Sequence, residues 1–185
     1  VHPDLQRIAD ELVEAQRRLH RLADACGDEL WGRRPAPGRW SAAECVAHLQ
    51  LTAEAFLPPI RRALHEGRRT GGKPPRRYRR DPLGWLLWRM IGPPARVRVR
   101  TPARFIPQAV VPRARLLATF DRLQDEQLRC VHEADGLPLG RLRIVSPFDP
   151  RVRYNLYSAL GILSRHQHRH LWQAERALET VVRAR

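Results

Sequence analysis

The chain has 185 residues, 43% of them hydrophobic, with 34 basic against 19 acidic side chains for a formal net charge of +15. That length suits a single domain over residues 1–185 with enough chain to bury a core, and the hydrophobic share excludes a disordered polyelectrolyte. No run approaches the ~18 apolar residues of a bilayer span, and three widely spaced cysteines (Cys26, Cys45, Cys130) without a CxxC pair exclude a disulfide framework or thiolate zinc cluster. The excess charge is almost all arginine, since Lys73 is the only lysine, and it is densest from Arg68 to Arg80 (RRTGGKPPRRYRR). Such a surface attracts phosphates, anionic lipids and anionic small molecules. It comes with no zinc-finger, RNP or helix-turn-helix signature, which argues against specific nucleic-acid recognition.

The opening VHPDLQRIADELVEAQ is amphipathic and carries acids, so it reads as neither a secretory signal nor a transit peptide, and a cytoplasmic protein is expected. Leu5, Ile8, Leu12, Ala15, Leu19, Leu22 and Cys26 alternate in steps of three and four, predicting a first helix from Pro3 to about Cys26. A Pro- and Gly-containing link leads to Ser41-Ala42-Ala43-Glu44, a capping box that opens a second helix. Its stripe runs through Cys45, Leu49, Thr52, Phe56, Ile60 and Leu64, with His48 at its edge. Trp40 is placed to staple against Cys45. Pro58-Pro59 is expected to kink or interrupt this helix.

From Gly67 to about Pro112 the pattern is irregular, apart from a brief helix at Trp85–Ile91 and an alternating, exposed RVRVR stretch over Arg96–Arg100. The apolar Trp85–Ile91 patch is suited to pairing two copies of the chain or to capping the bundle's end. A third helix is predicted from about Arg113 to Ala134. A second irregular crossover covers Gly136 to Pro150, and a fourth helix extends from about Tyr154 to Val182. Four long amphipathic helices without a core strand define an all-α, antiparallel four-helix bundle with a long crossover between its second and third helices.

The last helix carries His166-Gln167-His168-Arg169-His170. At 3.6 residues per turn, His166 and His170 stand one above the other within an apolar stripe of Leu160, Leu163, Ala174 and Ala177, while His168 falls on the opposite side. An i, i+4 histidine pair can reach one metal ion. It can equally be two core histidines that hydrogen-bond locally. A metal site needs at least a third ligand, and His48 is the natural candidate; His2, His20, His65 and His132 fit less well.

The segment Pro37–Leu49 (PGRWSAAECVAHL) resembles the second-helix opening of the DinB/YfiT-like superfamily, WSxxExxxHL. The segment His166–Gln173 (HQHRHLWQ) resembles that superfamily's last-helix motif, HxxRHLxQ. The resemblance implies a DinB-like four-helix bundle that holds a divalent transition metal (zinc, nickel or iron) on His48, His166 and His170. It also implies a metal-dependent enzyme of the thiol-transferase or hydrolase kind, acting on a small-molecule substrate or a low-molecular-weight thiol. Trp172 and Gln173 match the same motif and are read as a packing and a supporting residue. The alternatives from other classes are a non-catalytic bundle whose histidines are structural, acting in interaction or stress response, and a basic nucleic-acid or anionic-surface binder using Arg68–Arg80.

Overall fold

The computed structural model describes residues 1–94, 100–108 and 111–184. Four long helices form the bundle: α1 (Pro3–Asp24), α3 (Ala42–Thr70), α5 (Arg113–Glu133) and α6 (Leu156–Arg183). Helix α3 packs on α5 and α6, and α1 packs on the same two from the other side, so each helix has two neighbours. Short elements fill the connections: α2 (Asp28–Gly32), α4 (Pro82–Ile91), a 3₁₀ turn at Ala103–Phe105, and the strands β1 (Arg143–Val145) and β2 (Arg153–Asn155). The strands pair antiparallel, Ile144 opposite Tyr154. The expected bundle is therefore present with a small hairpin in its second crossover. Three-residue strands are too short to leave an alternating pattern. The alternating stretch at 96–100 lies outside the described residues except for Arg100, which is exposed and irregular.

Helix α3 differs from expectation at Pro58-Pro59, where it continues unbroken to Thr70. The prolines deprive the carbonyls of Glu54 and Ala55 of their helical donors. Glu54 is exposed and Ala55 half-buried, so water can serve those carbonyls, while Phe56, Leu57 and Ile60 are buried on either side and hold both halves to one core.

Two apolar clusters make up that core. One gathers Leu12, Phe56, Ile60, Leu123, Tyr154 and Leu160 among others, and the second gathers Leu19, Trp31, Cys45, Leu49, Phe120 and Leu171. On α6 they are separated by residues 164–170, a stretch with Ser164, His166, Gln167, Arg169 and His170 all buried. A polar layer thus divides the core. Part of it satisfies itself: Gln167 Nε2 donates to Gln124 Oε1 (2.8 Å) and Gln127 Oε1 (3.0 Å), and Gln124 Nε2 returns a bond to Gln167 Oε1 (3.0 Å) and donates to the Leu12 carbonyl. These amides link α1, α5 and α6 at one level.

Helix α4 packs on α6 and β2. Asp81 fixes its start: its carboxylate accepts from the Gly84 amide (3.0 Å), the Ser158 hydroxyl (3.1 Å), the Asn155 amide (3.2 Å) and Arg143 (2.7 Å). One carboxylate thereby joins α4 to β1, β2 and the first turn of α6. Gly84 is buried against Ser158, and a Cβ at Gly84 would overlap both the Cβ and the hydroxyl of that serine. Gly84→Ala gains about 1 kcal/mol of helix propensity but overpacks this contact at a cost of about 1–3 kcal/mol. A net loss of stability is expected, read as a lower denaturant midpoint at unchanged slope. A midpoint at or above wild type would show that α4 is not seated this closely.

Candidate metal centre

Local signals set the two helices that meet here. The Ser41 hydroxyl accepts from the Glu44 amide (3.2 Å) and the Glu44 carboxylate accepts from the Ser41 amide (2.8 Å), closing the capping box that starts α3. His48 follows about two turns later. Asn155 caps α6 by accepting from the Ser158 amide (2.8 Å), and His166 and His170 follow three and four turns on. Because α3 and α6 are neighbours, both registers point into one volume.

The three rings meet there. His48 Nε2 is 3.4 Å from His166 Nε2, and His166 Nε2 is 3.0 Å from His170 Nε2. One ligand atom from each of the three lies within 4.8 Å of the others, and among the described residues the cluster contains no carboxylate. Nitrogens held about 2.0–2.1 Å from a tetrahedral ion stand about 3.3–3.4 Å apart, so the spacing fits a shared ion. His48 Nδ1 lies 2.8 Å from the Phe105 carbonyl, which can only accept. The proton is therefore on Nδ1, and the Nε2 lone pair faces the other two rings. His166 Nδ1 is buried and finds no partner among the described residues. The group can hold a metal ion.

All three rings are 7% exposed or less. Burial is the main reason that His48 titrates below the ordinary histidine range and His166 and His170 well below it. The neighbouring imidazoles and the Arg169 guanidinium push His166 and His170 further down, with the Gln173 side chain opposing at His170. The Phe105 carbonyl opposes the shift at His48. The rings are therefore neutral, the state in which imidazole binds metal.

Aromatic rings wall the site. Trp40 stands 5.0 Å from His48 and 5.9 Å from His170 between ring centres, and Phe148 stands 5.6 Å from His166. Trp40 shares a cluster with Cys45, as expected of a staple, and also forms part of this wall. Phe105, Phe148 and Arg169 entered no reading of the sequence as site residues. The first two reach the site from irregular crossovers, which carry no periodic signal.

The remaining histidines are elsewhere. His2 Nδ1 accepts from the Asp4 amide at the start of α1, His20 pairs with Asp121, and His65 and His132 are exposed. His168 is more enclosed than its helical position suggests, half-buried with Nε2 3.0 Å from the Glu11 carbonyl. All three cysteines are free, and burial pushes the Cys45 thiol up to about 12.

The fold is a helical bundle in which three histidines from two helices converge in the core as a group that can hold a metal ion. The chain matches the DinB superfamily over residues 11–174, and it belongs to that superfamily. No curated protein and no solved structure matches it.

The depressed titration of these rings carries a stability consequence. Each is harder to protonate folded than unfolded, so its contribution is fully present above the unfolded value near 6.5 and is lost as pH falls toward the folded values. Metal-free protein should lose denaturant resistance between about pH 7 and about pH 5, and His166→Gln, which removes one titrating ring, should flatten that slope. An unchanged slope in the variant would remove His166 from the account.

Proposed function

We propose that the protein is a metal-dependent enzyme of the thiol-transferase or hydrolase kind, with His48, His166 and His170 as ligands of a divalent transition metal such as zinc, nickel or iron. The observation that carries this reading is the convergence of three neutral imidazole nitrogens in a buried layer. Membership of the DinB superfamily supports it. A divalent ion held there supplies Lewis acidity toward an oxygen or sulfur nucleophile.

The chain's own groups do the rest. Neutral ligands leave the ion's charge undiminished. The Phe105 carbonyl holds the His48 tautomer and ring plane. Trp40, Phe105 and Phe148 exclude bulk water and lower the local dielectric, which strengthens every charge interaction in the site. Arg169, buried on the same side of α6, adds positive charge that favours an anionic reactant. The co-reactant is a small molecule or a low-molecular-weight thiol, and hydrolysis and thiol transfer differ only in which nucleophile enters. Free cysteines and the lack, among the described residues, of a helix long and apolar enough to cross a membrane accord with a cytoplasmic setting.

Elemental analysis tests the ligand set. Protein reconstituted separately with zinc, nickel or ferrous iron should retain one equivalent per chain of at least one of them. His48→Ala, His166→Ala and His170→Ala should each weaken retention on the order of 100-fold or more while keeping helical circular dichroism. Full retention in all three would leave the histidines as structural residues. If metal is held, thiol-conjugation and ester or amide hydrolysis assays on the loaded protein separate the two reaction types.

A further inference from the structure

Helix α4 has two faces with different fates. Leu87, Trp88 and Ile91 pack on the core, and Gly84 is buried against Ser158. The guanidinium carbons of Arg80 and Arg165 stand 4.3 and 4.4 Å from the centre of the Trp88 ring, holding the helix to α6. The outer face is apolar and in the open. Leu83, Trp85, Leu86 and Met90 are between 41% and 53% exposed, and they are half of the large hydrophobic residues exposed among those described. At 100° per residue they share an arc with Pro82 and Arg89, so Arg89 is the only charged residue on it. Immediately before the helix, Arg76, Arg77 and Arg79 are exposed.

We propose that this outer face of α4, with its arginine rim, is a docking surface for an anionic lipid bilayer. A short helix that presents Trp, Leu and Met outward with basic residues beside it matches the physics of an interfacial element: apolar side chains enter the acyl boundary and guanidiniums meet anionic headgroups. Trp85 suits the boundary because its ring is apolar and its N–H is polar. Arg89 can lay its stem along the apolar surface and keep its charge at headgroup level.

Charge decides between a bilayer and a second copy of the chain. Each copy carries a net +15, and two-fold pairing through α4 would bring the two arginine rims together. Four half-exposed side chains also fall well short of the roughly 800 Å² per partner that a standard interface buries. An anionic surface instead complements the rim. Helix α4 sits against Ser158 and Arg165 of α6, roughly 80–140° round that helix from His166 and His170, so docking leaves the histidine cluster uncovered.

Co-sedimentation of the full chain with vesicles tests this. The protein should bind vesicles of equal parts phosphatidylglycerol and phosphatidylcholine, bind pure phosphatidylcholine at least about tenfold more weakly, and release with rising salt. The double variant Trp85→Ser, Leu86→Ser should lose at least about tenfold in binding to the anionic vesicles although its charge is unchanged. Leu83→Gln with Met90→Gln supplies the same readout should the first pair fail to fold, which circular dichroism reports. Variants that bind like wild type would mean net charge alone holds the protein, and the proposal falls. It also falls if no vesicle binding occurs, or if wild type forms a dimer that Trp85→Ser, Leu86→Ser abolishes while anionic vesicles are ignored.

Discussion

An imidazole buried in an apolar layer must stay neutral and find partners for its nitrogens, and this bundle places three of them at one level. That requirement governs much else. It splits the core into two apolar clusters, with the polar layer of α6 between them. It also leaves little freedom in how α3 and α6 align, because sliding either helix by one turn, about 5.4 Å, would separate His48 from the pair on α6. The capping box at Ser41 and the cap at Asn155 set where each register begins. The paired amides of Gln124, Gln127 and Gln167 hold α5 and α1 at the same height. A core with this many polar groups sacrifices apolar burial, a departure from ordinary packing that is expected where a fold carries a site.

The sequence made the four long helices legible because each keeps a continuous three-four apolar stripe, and their boundaries agree with the structure to within about two residues except at the end of α3, which runs on to Thr70 where irregular chain was expected from Gly67. The ligand cluster was legible for a related reason. The i, i+4 spacing of His166 and His170 is local, and His48 stood out as a polar residue at the edge of a core stripe. What local spacing could not reveal was pairing across the fold. Gln124 and Gln127 are buried in α5, where Gln167 across the core and the carbonyls of Leu12 and Leu123 satisfy their amides. Asp81 entered no reading of the sequence, yet it binds four partners from four elements. The Phe105 carbonyl is invisible to any reading of side chains. The unbroken passage of α3 through Pro58-Pro59 shows tertiary burial prevailing over a strong local signal, with the unpaired carbonyls near solvent.

The balance of charge at the centre constrains what it can bind. Three neutral imidazoles contribute no negative charge, and among the described residues the cluster has no carboxylate. A dication in such surroundings is poorly compensated, and in a low-dielectric interior that is costly. Compensation must then come from whatever completes the site, which favours an anion over a neutral ligand of similar size. This bears on the choice of nucleophile. If the proposed ion were bound, the same electrostatics would favour the deprotonated form of a thiol or a water entering the site. Among the described residues the cluster offers no carboxylate or fourth imidazole that could take such a proton. The aromatic wall of Trp40, Phe105 and Phe148 keeps the dielectric low around rings that are almost wholly enclosed, and under the proposed function it would also have to admit a reactant.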